Sequence, residues 1–175
     1  DIRGTCYLTD PVNTPWGAVQ CPDFAQVASD KKAYAKATRQ QYDQQDEIYG
    51  KTVIQRHGKQ MLVQNPPALS LTQEELDAVY QLPFQRKPHP MYDAQGGVPG
   101  IAEVQFSIAH NRGCFGYCNF CSIALHQGRR VTCRSEESIL KEAKQITEMP
   151  NFKGYIHDVG GPTANFRAPS CKKQL

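Results

Sequence analysis

Between residues 83 and 100 the chain carries a dense run of prolines and glycines that no regular helix or strand can cross. The run consists of Pro83, Pro88, Pro90, Gly96, Gly97, Pro99 and Gly100. Proline fixes φ and lacks an amide donor, while glycine favours irregular backbone. Such composition is typical of a linker between folding units. We therefore predict the end of one domain at 1–82, a linker at 83–100 and the start of a second domain at 101–175.

The length and the ends of the chain fit a piece of a longer protein. With 175 residues the chain exceeds one domain of about 150 residues but falls short of two. It starts at Asp1 rather than at methionine, and residues 171–175 carry no signal that would end a helix or strand. We expect that function belongs to the longer protein and that this piece alone is inactive.

Composition excludes several classes of protein. The net charge of +3 is too small to indicate binding to nucleic acid or to an anionic membrane. No apolar run approaches the roughly 20 residues that span a bilayer, and the start does not resemble a secretory signal. We therefore expect a cytoplasmic protein without a nucleic-acid or membrane partner.

The first 82 residues read as an α+β segment with a long helix, a β-hairpin and a short helix. Residues 1–22 are predicted to be loop because three prolines break them. A helical pattern follows from Asp23, a suitable N-cap, to just before Gly50. Two strand-like runs, 51–56 and 59–64, flank His57-Gly58 as a predicted turn. Thr72 to Glu75 then forms a capping box before a helix that ends at Tyr80.

After the linker, the pattern of predicted strands and helices is that of an α/β fold. Residues 103–109 are predicted to form a strand, and residues 154–159 a second one. Between them a helix begins after Ser135 as N-cap and ends near Met149. Strand, helix and strand make a βαβ unit, whose strands should be parallel and joined by a right-handed crossover.

The residues with the strongest chemical signal are three cysteines in the loop of this βαβ unit. Cys114, Cys118 and Cys121 fall within eight residues with the spacing C-x3-C-x2-C. Thiolates are soft ligands that suit iron–sulfur clusters and zinc, and the small Gly116 lets the chain curl around a centre. Three ligands would leave one iron of a cubane cluster open, as catalytic zinc sites keep one position open.

Other readings of the cysteines stay open at this level. A fourth ligand from Cys133 or His126 would make a zinc site, and hence a non-catalytic metal-binding module. Disulfides are disfavoured without a secretory signal, and three inert thiols in one loop are an unusual way to fill a core. The remaining cysteines are interpreted as ordinary thiols: Cys6, Cys21, Cys133 and Cys171.

The cysteine spacing at the end of the first strand of a βαβ unit resembles the radical SAM superfamily. More specifically, several stretches resemble the YgiQ-like radical SAM proteins and together span nearly the whole chain. These stretches are 2–5, 64–67, 82–84, 112–123, 134–139 and 158–165. The resemblance implies a partial (β/α) barrel, of which 101–175 would supply the first βαβ unit.

The same resemblance implies the cofactors. Cys114, Cys118 and Cys121 would each ligate one iron of a 4Fe–4S cluster, and S-adenosylmethionine (SAM) would chelate the fourth. A reduced cluster would cleave SAM to methionine and a 5′-deoxyadenosyl radical, which abstracts hydrogen from a substrate that the sequence does not identify. An external one-electron donor is implied as partner. For this piece alone we expect no turnover and a cysteine loop that is partly disordered or metal-free after aerobic purification.

The resemblance also implies three SAM contacts. The main chain at Phe120 would lie near the adenine, with its ring as an apolar wall. Gly160 and Gly161 would let the backbone approach the methionine amino group. The third position of this motif is Pro162, where the superfamily commonly has glutamate, and proline has no amide to donate.

Overall fold

The computed structural model describes residues 2–161 and 166, and the chain divides into two compact units between Ser70 and Leu71. The division lies before the short helix that ends at Tyr80, which the sequence-based limits assign to the first domain. The proline–glycine segment therefore lies inside the second unit. The domain limits 1–82, 83–100 and 101–175 concern the longer protein and stay a prediction.

The first unit is built on a four-stranded sheet. Its strands are β1 (Cys6–Thr9), β2 (Val19–Gln20), β3 (Val53–His57) and β4 (Gln60–Gln64), in the order β1-β4-β3-β2. β1 and β3 pair antiparallel with β4, and β2 pairs parallel with β3. Two clusters of buried residues contain Val53 and Ile54. Because neighbouring residues in a strand point to opposite faces, each face of the sheet carries one cluster.

Residues 1–22 are not all loop, and that prediction is wrong. β1 and β2 lie there, with a single 3-10 turn at Pro11–Asn13 between them. The prolines flank the strands instead of interrupting them: Pro11 follows the end of β1, and Pro22 follows β2 by one residue. Strands this short give no alternating pattern, so only their partners in the sheet reveal them.

The long helix predicted from Asp23 is two helices, α1 (Phe24–Ser29) and α2 (Lys31–Asp43). Asp30 separates them with an extended backbone at φ −123° and ψ 119°. Its carboxylate accepts hydrogen bonds from the amides of Lys32 and Ala33 at 2.9 and 3.2 Å. An aspartate that caps a new helix in this way competes with continuation of the previous one.

The hairpin is confirmed, with its turn one residue later than predicted. His57 pairs with Gln60, so Gly58 and Lys59 form the two-residue loop. Gly58 adopts φ +60°. Glycine at the first central position is typical of a type II′ turn, which matches the twist of the strands.

The second unit begins with α3 (Gln73–Tyr80), and the capping box predicted for it is confirmed. The Glu75 amide donates to Thr72 Oγ1 at 3.2 Å, and the Thr72 amide donates to Glu75 Oε2 at 2.8 Å. A 3-10 helix at Pro90–Gln95 and α4 (Ile101–Val104) follow in the proline–glycine region.

The predicted βαβ unit is present, with much shorter strands. β5 (Ile108–Ala109) pairs parallel with β8 (Val159–Gly160). Between them lie β6 (Asn111–Arg112), α5 (Ile123–Gln127), β7 (Thr132–Cys133) and α6 (Glu136–Thr147). Ile108 and Ile146 are fully buried with Phe106 in one cluster that holds α6 against β5.

Two strand predictions need correction in extent. Of the strand predicted at 103–109, only Ile108–Ala109 is strand. Residues 103–104 belong to helix α4, because Pro99 and Gly100 open a helical turn in which the Ala102 amide donates to the Pro99 carbonyl. Residues 154–158 lie outside the strand, and Gly154 turns the chain with φ +92°. The fold is thus mixed α/β with small sheets and, within the described residues, no closed barrel.

None of the helices among the described residues is long and apolar enough to cross a membrane.

Candidate metal centre

The cysteine loop, residues 113–130, is closed at its neck. β6 and β7 lead into and out of it as an antiparallel pair. The Cys114 amide donates to the Gly128 carbonyl at 3.0 Å, and the Gly113 amide donates to Gln127 Oε1 at 3.3 Å. Gly113 has φ +89°, and a Cβ there would lie 1.9 Å from the Arg130 carbonyl oxygen. Only glycine fits this crossing of two backbones.

Two of the three predicted ligands lie beside Gly116. The Gly116 amide donates to Cys114 Sγ at 3.4 Å. A Cβ on Gly116 would lie 3.4 Å from Cys114 Sγ and 3.8 Å from Cys118 Sγ, so both sulfurs border the space that the glycine leaves open. The Cys121 amide donates to the Cys118 carbonyl at 3.0 Å, which places the third cysteine one turn further along.

The donor set fits a thiolate-bound metal centre, although the loop does not hold all three sulfurs together. Cys114 and Cys121 are half-buried, Cys118 is exposed, and all three are free thiols. Among the described residues, no group of three or more His, Cys, Asp or Glu side chains is arranged as a metal-binding set. Thiolates are the ligands that iron–sulfur clusters require, and Gly116 keeps room between two of them. Binding would therefore require the three sulfurs to move closer together.

The loop carries several aromatic side chains of its own. The Arg129 guanidinium lies 3.9 Å from the centre of the Tyr117 ring, a cation–π distance. Tyr117 itself has φ +53°, which non-glycine residues seldom adopt. Phe115 packs against Phe166 with ring centres 4.2 Å apart. Phe120, in contrast, is 92% exposed, so its ring is free to contact a ligand.

The glycine pair lies next to the strand that enters the loop. The His110 amide donates to the Gly160 carbonyl at 2.9 Å, and Gly161 follows at the end of β8. The carboxyl ends of β5 and β8 thus meet at the side where the cysteine loop begins, the edge where parallel α/β sheets bind ligands. Pro162 lies outside the described residues, as does Cys171.

The alternative metal ligands are not gathered with the three cysteines. Cys133, in β7, is half-buried and its thiol donates to the Phe166 carbonyl at 3.3 Å. His126 lies near the end of α5 and is exposed. Neither forms part of a metal-binding set within the part of the chain that is described.

Sequence reasoning missed a buried ionic cluster near the loop. Arg134, 1% exposed, forms an ion pair with Glu142, and Arg86 forms a second one with the same carboxylate. Arg134 lies just before the N-cap of α6, and Ser138 and Glu142 follow at intervals of four residues on one side of that helix. That spacing was visible, but a polar stripe on a helix is more often its solvent face.

Two further buried polar side chains precede the loop. The Nδ1 atom of His110 and both amide atoms of Asn111 have no hydrogen-bond partner among residues 2–161 and 166. Both residues are at most 5% exposed. Unpaired buried groups are rare and usually have a water, ion or ligand as partner.

The comparison with known proteins adds the family. The model of the radical SAM N-terminal family matches residues 1–107. The chain belongs to this family. The predicted resemblance to YgiQ-like radical SAM proteins is thereby confirmed, and radical SAM membership supports an enzyme in general terms.

Curated relatives match over almost the entire chain. A UPF0313 protein of Clostridium botulinum is 52% identical over 174 residues, which cover 99% of this chain and 27% of that protein. A UPF0313 protein of Clostridium perfringens is also 52% identical, over 99% of this chain and 26% of its own length. The chain therefore spans about a quarter of the length of the relatives it matches. No solved structure matches it.

Proposed function

We propose that this chain is the cluster-binding part of a radical SAM enzyme. Cys114, Cys118 and Cys121 would hold a 4Fe–4S cluster, and SAM would complete its coordination. The single observation that supports this most is that Cys114 Sγ and Cys118 Sγ flank Gly116 at the mouth of the βαβ unit, in a chain of a radical SAM family.

The bound cluster would supply the electron that cleaves SAM to methionine and a 5′-deoxyadenosyl radical. The chain's own residues would bind the cluster and SAM and orient them. The neck at Gly113 fixes where Cys114 emerges, and the exposed Phe120 is available to cover the adenine. Gly160 and Gly161 present backbone without side chains at the strand edge, where the methionine amino group would approach.

The partners follow from the same proposal. An external one-electron donor would reduce the cluster, and a substrate of a class that this chain does not define would give up hydrogen. We also propose a cytoplasmic location, because cysteine thiols stay reduced in the cytoplasm.

The test uses the full-length protein, reconstituted anaerobically with iron and sulfide. We expect a brown chromophore, iron and sulfide in the ratio of a 4Fe–4S cluster, an EPR signal of the reduced cluster that changes with SAM, and 5′-deoxyadenosine as product. Stoichiometric zinc without a chromophore would instead favour the non-catalytic module. An EPR signal indifferent to SAM would favour simple electron transfer.

Cysteine variants assign the ligands. Replacing Cys114, Cys118 or Cys121 by serine should remove the cluster, because serine is a poor soft ligand. Cys6→Ser, at an exposed cysteine of the first unit, is the matched control and should keep it. If Cys133→Ser removed the metal as well, a fourth protein ligand would be established and the open iron position excluded.

A further inference from the structure

The carboxylate of Glu142 lies buried between two arginines of the second unit. Arg86 donates to its Oε1 and Arg134 to its Oε2, and the Glu142 side chain is 8% exposed. A buried carboxylate is costly unless charges and hydrogen bonds compensate it. Removal of either arginine therefore leaves the carboxylate only partly compensated.

Arg134 extends this pair to the strand that leads into the cysteine loop. Its Nη1 donates to the Ala109 carbonyl at 3.0 Å, and its main-chain amide donates to the His110 carbonyl at 2.8 Å. The rest of the guanidinium is held by Ser138: Nε and Nη2 donate to its Oγ at 3.1 and 2.9 Å, and Nη2 to its carbonyl at 3.0 Å. The Arg134 side chain thus holds the Ala109 carbonyl, and its main-chain amide holds the His110 carbonyl, the last two carbonyls before β6 and the loop neck.

Arg86 extends the pair in another direction. Its Nη1 donates to the carbonyls of Gln105 and Ser107 at 2.8 and 3.1 Å, and Gln105 Nε2 donates back to the Arg86 carbonyl at 3.1 Å. These bonds tie the proline–glycine segment to the residues before β5. They do not reach Ala109 or His110, so the two arginines can be tested separately.

We propose that Arg134 and Glu142 are positioning residues for the cysteine loop. Glu142 orients the guanidinium of Arg134, and Arg134 fixes the Ala109 and His110 carbonyls, from which the chain enters the neck at Gly113. The role rests on the proposed function, because it matters only if Cys114, Cys118 and Cys121 converge on a cluster. A planar fork with several donors is required, and lysine does not provide it.

The first experiment uses the metal-free full-length protein and measures amide hydrogen exchange. Arg134→Lys and Glu142→Gln should raise exchange of the His110, Cys114 and Arg134 amides by about tenfold, as expected for loss of a charge-assisted hydrogen bond. Arg86→Lys should raise exchange at residues 105–107 and leave those three amides unchanged. Glu137→Gln, an exposed glutamate of the same helix, is the matched control and should change none of them.

The second experiment uses the reconstituted protein. Arg134→Lys should lose its cluster to a chelator about tenfold faster than the wild type, as for other outer residues that orient metal ligands. The fraction of its EPR signal that changes with SAM should fall. Arg86→Lys should match the wild type in both measurements, even if its thermal midpoint is as low as that of Arg134→Lys.

The outcomes separate the two proposals. If the wild type binds no cluster, the proposed function fails, while the exchange data still show whether Arg134 holds the loop. The positioning role is wrong if Arg86→Lys and Arg134→Lys perturb the loop equally, or if neither perturbs it. In that case the ion pairs of Glu142 only stabilise the fold. Should Arg134→Lys fail to fold, Glu142→Gln, which keeps the arginine, makes the same comparison.

Discussion

Two cysteines of the first unit lie in opposite surroundings. Cys21 is 1% exposed and packs with Ala37 and Val53, whereas Cys6 in β1 is exposed. Burial raises the pKa of the Cys21 thiol above its ordinary value of 9.0, and the nearby Lys36 offsets this only in part. Cys21 is therefore a structural thiol, inert to reagents that need a thiolate.

We predict that iodoacetamide alkylates Cys6 much faster than Cys21 in the native protein at about pH 8, because Cys21 is both buried and neutral there. Mass spectrometry of labelled peptides over time measures both rates. Equal rates in native buffer would contradict the burial of Cys21, and equal rates in denaturant are the control.

The raised pKa also sets a pH dependence. Below the ordinary pKa the thiol is protonated in both states and its contribution to stability is fully present. That contribution is lost as the pH rises through the pKa of the folded protein, because the unfolded chain ionises first. The free energy of unfolding should fall less steeply with alkaline pH in Cys21→Ala than in the wild type. Urea denaturation at a series of pH values measures these free energies. An equally steep fall with pH in both proteins would refute the prediction.

Gly113 and Gly97 form a matched pair for the loop neck. Both have positive φ, +89° and +77°, but a Cβ on Gly97 meets nothing within 4 Å. Gly97→Ala should cost about 1–2 kcal/mol of backbone strain alone. Gly113→Ala should cost more, because its Cβ would also overlap the Arg130 carbonyl.

Limited proteolysis measures this difference. Cleavage within residues 113–130 should increase strongly in Gly113→Ala and remain at the wild-type rate in Gly97→Ala. A neck that stays resistant in Gly113→Ala would mean that the two backbones do not cross as closely as described.

At the scale of elements, the capping box of α3 gives a quantitative expectation. Thr72→Ala removes the acceptor for the Glu75 amide and should lower the free energy of unfolding by about 1 kcal/mol. Thr72→Ser keeps a hydroxyl and is the control. Urea denaturation measures the free energy of unfolding of both variants. Equal losses of stability in Thr72→Ala and Thr72→Ser would show that the hydrogen bond to the hydroxyl contributes nothing.

Elements with local signals could be predicted from the sequence. The capping box defines the start of α3, and the alternating runs around Gly58 define the hairpin, whose turn was misplaced by one residue. Strands of two residues could not be predicted, because β5 and β8 exist only through their pairing with each other. The break at Asp30 was missed because aspartate fits both an exposed helix face and a cap.

The candidate site also combines residues with a local sequence signal and residues without one. The three cysteines were identified by spacing, which is a local property. The Arg134–Glu142 pair was not, because burial of a polar stripe depends on what packs against it, here β5 and the ring of Tyr80, 4.1 Å from the guanidinium. Tertiary contacts of this kind leave no periodic trace in one sequence.

At the scale of the whole molecule, the chain provides only part of what the proposed chemistry requires. It spans 27% of the curated relative of Clostridium botulinum, and the described residues contribute one parallel strand pair to the site. We predict that the isolated 175 residues form no 5′-deoxyadenosine from SAM under reducing conditions, while the full-length protein does. Liquid chromatography measures the product, and turnover by the isolated chain would prove this expectation wrong.

The closed neck changes the entropy of assembling a metal centre. Bringing distant ligands together in an open chain costs conformational freedom that grows with the logarithm of the separation. Here the two ends of the loop lie against each other: the Gly113 and Arg130 backbones cross closely, and the Cys114 amide donates to the Gly128 carbonyl. A metal cluster would have to order only the short path from Cys114 to Cys121, because the return path to the neck is anchored by the Gln127 side chain and the Gly128 carbonyl.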